Sequence, residues 1–111
     1  MSTPARVETT QDGSRCVVGI VGEIDISNAN EISAAIEAAI PRDALELAVD
    51  LSSTAYIDSA GVSLLLRLSE RMQARRVGLS VVAPPGSPVR AVLELTGLPR
   101  VMTLVTALDA Q

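Results

Sequence analysis

This chain of 111 residues contains no histidine, lysine, phenylalanine or tryptophan. The missing histidine and lysine matter most for chemistry. A serine nucleophile ordinarily needs one of them as its base, so the usual serine chemistry has no partner here. Cys16 is the only cysteine, which excludes an internal disulfide. With one cysteine and no histidine, a typical structural zinc site lacks its ligands. Tyr56 is the only aromatic residue, so there is no platform on which bases could stack. The formal net charge is −4, whereas phosphate backbones are held by basic patches. The pair Arg75-Arg76 is too short to change that balance and reads as a solvated helix end. Nucleic acid is therefore not an expected partner. No apolar stretch is long enough to cross a bilayer, and Met1 to Thr10 lacks the apolar segment of a secretory signal. These absences lead to the expectation of a cytoplasmic protein without membrane insertion, metal or other cofactor.

What is present is an aliphatic core. Hydrophobic residues make up 48% of the chain and charged residues 20%, which argues against disorder. Residues 1–111 are expected to form one domain, with a core at about 6–105. No internal repeat, low-complexity segment or linker interrupts it.

Periodicity divides the chain into elements. Arg6 to Thr10 alternates weakly and predicts an exposed first strand. Asp12-Gly13 is a hairpin signal, and Cys16 to Val21 is an apolar, β-branched run suited to a buried strand. Gly22-Glu23-Ile24-Asp25 closes it. Asn28 then offers a helix cap, with Glu31 at capping-box spacing. Ile32, Ile36, Ala39 and Ile40 share one helical face, and Pro41 ends the helix. Leu45, Leu47, Val49 and Leu51 alternate with Glu46, Ala48 and Asp50, which is strand spacing. Ser52 to Tyr56 reads as a polar loop.

From Val62 the pattern turns helical, with Val62, Leu65, Leu66 and Met72 on one side and Leu64 and Leu68 widening it. Gly78 fits the helix stop. Leu79 to Ala83 predicts a strand. Ser87 caps a further helix with Pro88 at its first position, Val89, Val92, Leu93 and Thr96 form its inner stripe, and Gly97 stops it. Val101 to Val105 suits a last strand, and Thr106 to Gln111 a short final helix or a frayed tail. The order β β α β α β α β implies an α/β fold with a mixed sheet of four to five strands covered by helices. In such folds functional groups gather at the carboxyl ends of strands, beside helix N-termini. Asp25, Asp50 and Ser59 fall there.

The stretch Tyr56-Ile57-Asp58-Ser59-Ala60-Gly61-Val62-Ser63 concentrates these signals. It departs from the nucleophile-elbow pattern, because Ile57 stands where the first glycine would be. The pairs Glu23 and Asp25, or Asp50 and Asp58, could serve as acid and base or hold magnesium. Acids at such places more often cap helices. Asp58 suffices as a cap, which leaves Ser59 spare. Ala60 and Gly61 leave a bare surface that something must approach closely, since glycine within a helix costs about 1 kcal/mol relative to alanine.

Asp58-Ser59-Ala60-Gly61-Val62, preceded by a strand ending Asp50-Leu51-Ser52, resembles the signature of STAS-domain anti-sigma factor antagonists. Gly22-Glu23-Ile24-Asp25 and Leu95-Thr96-Gly97-Leu98 resemble two further segments of that bacterial family, in the same order. The resemblance extends from about Arg6 to Val105. It implies a STAS-like fold and a protein that is not an enzyme. It implies binding to an anti-sigma factor that is also a serine kinase, with release of a sigma factor. Phosphorylation of Ser59 would end the interaction and a phosphatase would restore it. Asp25, Asp58, Ser59, Ala60, Gly61 and Val62 would form the partner surface of a monomer or weak dimer. Ala60 stands where several members carry a second hydroxyl, which leaves Ser59 as the expected acceptor. Ser63, one helical turn on, is a lesser candidate. Two other readings share this fold: a STAS subunit of a lipid-trafficking ATP-binding cassette complex, and a module sensing a small anion at the Ser59 helix end.

Overall fold

The computed structural model describes residues 5–108. Among them are six strands and three α-helices. In chain order these are β1 (Arg6–Asp12), β2 (Arg15–Ile24), α1 (Ala29–Ala39), β3 (Glu46–Asp50), β4 (Thr54–Ile57), α2 (Ser59–Arg75), β5 (Gly78–Val82), α3 (Pro88–Leu95) and β6 (Thr103–Val105). A single 3-10 turn, Leu98–Arg100, lies between α3 and β6. The strand order is β1-β2-β3-β5-β6, and β4 joins as a third partner of β2. Only β1 runs antiparallel.

The hairpin forms at the Asp-Gly signal. Asp12 pairs with Arg15, so Gly13 and Ser14 make the turn. Gly13 takes a φ of 62°, a region that favours glycine. Strand β2, an apolar run in sequence, alternates in burial. Cys16, Val18 and Ile20 are fully buried, and Val17, Gly19 and Val21 are half-buried. Leu47 and Val49 of β3, Val81 of β5, Ile32 and Ile36 of α1, and Leu65, Leu68 and Met72 of α2 complete the same cluster. Cys16 is thus a core residue.

The sheet has one more strand than the sequence pattern suggested. The segment read as a polar loop contains β4, only four residues long. Its pairing is not local. The first part of β2 pairs with β3 up to Gly19 and Asp50. The register then shifts at Gly22, whose φ is 116°, and Glu23 and Ile24 pair with Tyr56 and Ile57. A glycine suits this bulge because other residues resist that backbone angle. Thr54 fixes the return. It is buried, and its hydroxyl donates to the Ile20 carbonyl at 2.7 Å.

Other local expectations also shift. Asn28 stands at the start of α1, but its side chain makes no cap hydrogen bond. Leu45 is 63% exposed, because β3 begins one residue later, while Ala48 is buried on the opposite face from Leu47. Leu66 is exposed on α2, and Thr96 is exposed beyond α3. Helix α2 ends at Arg76, which takes the left-handed conformation (φ 58°) while its N–H donates to Met72 and Gln73 carbonyls. Gly78 instead opens β5. At α3 the reading from sequence stands: Ser87 Oγ accepts from Arg90 N, Pro88 leads the helix, and Gly97 follows with φ 78°. The final strand is shorter than expected, since the N–H groups of Val101 and Met102 still donate to the Leu98 carbonyl of the preceding 3-10 turn. Of the tail, residues 106–108 form no helix, and 109–111 lie outside the described residues.

Helix α2 sits unusually close to the sheet at Gly61. A Cβ there would fall on the Ile57 side chain and 3.0 Å from Ile24 Cγ2. Gly61→Ala should therefore destabilise the fold by about 1–3 kcal/mol, although alanine favours helix. Denaturant unfolding measures this, and no loss of stability would mean that α2 slides freely. Arg76→Gly should have the opposite sign. It relieves a left-handed arginine and is expected to raise stability by about 1 kcal/mol, visible as a higher denaturation midpoint at unchanged slope.

Candidate functional site

The carboxyl ends of β2 and β4 lie side by side. Ile24 pairs with Ile57, and the Asp58 N–H donates to the Ile24 carbonyl at 3.2 Å. Asp25 and Asp58 therefore emerge from adjacent parallel strands, about 5 Å apart by ordinary strand spacing. Just beyond Asp58 the chain turns into α2. Asp58 has extended backbone (φ −112°, ψ −169°) and is the cap of that helix. Its Oδ1 accepts from Ala60 N at 2.9 Å and from Gly61 N at 3.3 Å. A carboxylate here is favoured twice, by those hydrogen bonds and by the positive end of the helix dipole.

Ser59 is the first residue of α2 and is exposed. Because Asp58 takes the cap role, the Ser59 hydroxyl is not needed for it. That hydroxyl has no hydrogen-bond partner among the described residues. Asp25, Asp58 and Ala60 are half-buried. Gly61 and Val62, also expected on the contact surface, are buried. Val62 joins the core cluster. The close approach at Gly61 is made by Ile57 and Ile24 of the same chain, not by a visiting molecule. Ser63 is exposed one turn further along α2.

The turn after β2 is held by a separate set of bonds. The Asn28 side chain is turned back, away from α1. Its Oδ1 accepts from Asp25 N at 3.0 Å, and its Nδ2 donates to the Glu23 carbonyl at 2.8 Å. The Asp25 carboxylate accepts from the Ser27 backbone N–H at 2.9 Å and from the Ser27 hydroxyl. The Ser27 hydroxyl is the main reason that the Asp25 pKa lies below its ordinary 3.8; the Ser27 and Asn28 N–H groups add to it, and desolvation opposes it. The residue between them, Ile26, is 84% exposed. Sequence reasoning did not single it out. An apolar residue after a strand gives no sign of facing water, apart from its place inside an Asp-x-Ser turn.

Asp50 makes a similar turn at the end of β3, where its Oδ1 accepts from Ser52 N at 3.0 Å. That use is structural. No group of three or more His, Cys, Asp or Glu side chains converges among the described residues. A cleft of about 260 Å³ lies at the opposite end of the parallel strands and includes Arg15, Glu46 and Gly78 in its lining. Arg15 is already tied there to Asp12 at 2.8 Å and to the Leu108 carbonyl at 3.1 Å. No helix among the described residues is long and apolar enough to cross a membrane.

Comparison with known proteins agrees with this arrangement. The family model described as "Mlab, STAS domain" matches residues 7–106. Anti-sigma-F factor antagonist RsfB of Mycobacterium tuberculosis is 31% identical over 110 residues, covering 97% of this chain and 88% of RsfB. The crystal structure of an anti-sigma factor antagonist from Mycobacterium paratuberculosis superposes with a TM-score of 0.85 at 28% identity, covering 98% and 93% of the two chains. The anti-sigma factor antagonist SpoIIAA, in its unphosphorylated form, shares the fold at a TM-score of 0.69 and 21% identity, over 91% of this chain and 89% of that one. With six strands and three helices in this order and a family match over nearly its whole length, the chain belongs to the STAS-domain family.

Proposed function

We propose that this protein is an anti-sigma factor antagonist, and that its partner is an anti-sigma factor with serine kinase activity that phosphorylates Ser59. The observation that carries this reading is the division of labour at the start of α2. Asp58 holds the helix end, while the hydroxyl of Ser59 stands exposed and unengaged. The 31% identity to an antagonist over almost the full chain supports the partner class. The chain carries neither histidine nor lysine to activate Ser59. We therefore read Ser59 as a phosphate acceptor, with the base supplied by the kinase, and the protein as a binding module. A phosphatase would return it to the binding state, and the exchange would take place in the cytoplasm.

The switch follows from charge. A phosphate on Ser59 adds about −1.5 to −2 charge beside Asp58 and near Asp25. The N–H groups of Ala60 and Gly61 already serve Asp58. The new charge would thus project from the helix end and not be absorbed by it. Since Ser59 contributes nothing to the core, the fold would persist and the contact surface alone would change. The partner surface would be centred on Ser59, Asp25, Asp58 and Ala60, with Gly61 and Val62 supporting them from beneath.

Intact-mass measurement after incubation with a kinase-type anti-sigma factor and ATP tests the acceptor. Wild type should gain one phosphate and Ser59→Ala none; modification of Ser59→Ala would move the acceptor elsewhere. Ser59→Asp should remain folded and bind the anti-sigma factor at least about tenfold more weakly, a loss of about 1.4 kcal/mol. Undiminished binding would defeat the charge mechanism.

The ionisation of Asp25 gives a separate test. A depressed pKa means that the Asp25 carboxylate contributes stability above its unfolded pKa, and that this is lost as pH falls through the lower folded value. Ser27→Ala removes the principal donor. The Asp25 pKa should then rise toward 3.8, as read by carboxyl NMR titration. An unmoved titration would show that the hydroxyl does not bear on the charge.

A further inference from the structure

Ile26 is among the most exposed large apolar side chains of the described residues, at 84%. Single apolar residues on a surface are common and by themselves mean little. This one differs in how it is held and where it stands. The buried Asn28 spends both ends of its amide on the turn that carries Ile26, bonding Asp25 N and the Glu23 carbonyl. Ser27 closes the other side of the turn onto Asp25. The side chain is thus displayed from a frame ordered before any partner arrives, which lowers the entropic cost of contact.

Its location follows from strand pairing. Ile24 and Ile57 are paired neighbours. Ile26 lies two residues beyond the first, and Ser59 two residues beyond the second. Both residues therefore follow the same pair of strand ends, and a partner broad enough to engage Ser59 would be placed to reach Ile26 as well. Asp25 and Asp58 immediately precede Ile26 and Ser59 at these paired strand ends, so a surface covering both would have to be complementary in charge.

We propose that Ile26 is the apolar anchor of the partner interface, entering a socket on the anti-sigma factor that is lined with apolar groups and rimmed by arginine or lysine. This deepens the proposed function and rests on it. The acidic and hydroxyl groups set charge and switching, while Ile26 supplies the desolvated centre that interfaces require.

The test is calorimetric titration of wild type, Ile26→Ala, Ile26→Leu and Leu45→Ala with each purified kinase-type anti-sigma factor of the host. Leu45 is a matched control, 63% exposed at the start of β3, at the other end of the sheet. Ile26→Ala should weaken binding about tenfold or more. Ile26→Leu should stay near wild type, Leu45→Ala should match it, and thermal melting should be the same for all four. If wild type binds and Ile26→Ala binds equally well, the anchor is refuted while the proposed function stands. Equal weakening by Leu45→Ala refutes it too, as does an Ile26→Ala effect confined to self-association. If wild type binds none of them, the proposed function falls and the anchor with it.

Discussion

The contact on which this structure depends is the seating of Gly61 against Ile57 and Ile24. Helix α2 can start where it does only because residue 61 has no side chain. That start lies at the junction of two strands whose pairing shifts register just after Gly22. Once α2 is seated, the rest follows in order. Val62, Leu65 and Leu68 drop into the aliphatic core. Asp58, held by its N–H to the Ile24 carbonyl, is placed to accept from Ala60 and Gly61. Ser59 is then left on the outer side of the first turn. The exposure of the hydroxyl is thus a consequence of core packing on the other side of the same turn.

Much of this was readable from the sequence where the deciding interactions are local. The Asp58 and Ser87 caps, the Gly13 turn and the Gly97 stop each depend on a few neighbouring residues, and each appears as expected. The apolar run from Cys16 to Val21 marked a buried strand in the same way, although only the fold shows that Cys16, Val18 and Ile20 form its core face. Failures came where a distant partner decides. Strand β4 is short and begins with a threonine, and its reason for existing is an edge of β2 some thirty residues earlier, including the Thr54 bond to Ile20. Asn28 has the chemistry of a cap, but the same amide also fits a turn reaching backward, and only the folded chain shows which donors and acceptors it meets.

Gly61 shows a subtler limit. Its sequence context said correctly that something must come close. It could not say whether that would be a partner or the protein's own sheet. Absence of a side chain signals proximity without direction, and the direction was supplied by Ile57 and Ile24. The site consequently divides into a buried half that shapes the helix end and an exposed half that is free to meet another molecule. A residue motif that looks uniform along the chain serves two different ends in space.

That division would let one small domain carry the proposed switch without risking its fold. Native domains are only marginally stable, by about 5–15 kcal/mol, so a charge added to a packed position would endanger them. At Ser59 that cost would be avoided. The dipole of α2 favours negative charge at its start, and the cap that stabilises this end belongs to the neighbouring Asp58. A modification at residue 59, as proposed, would therefore act outward, on whatever lies across from Asp25, Ile26 and Asp58. The turn bearing Ile26 is tied by Asn28 and Ser27, independently of the α2 cap. Charge at the helix end and apolar contact at the turn can consequently be varied separately. In a protein whose aromatic complement is a single tyrosine, that separation would leave an aliphatic side chain to do at the proposed interface what tyrosine or tryptophan does in many others.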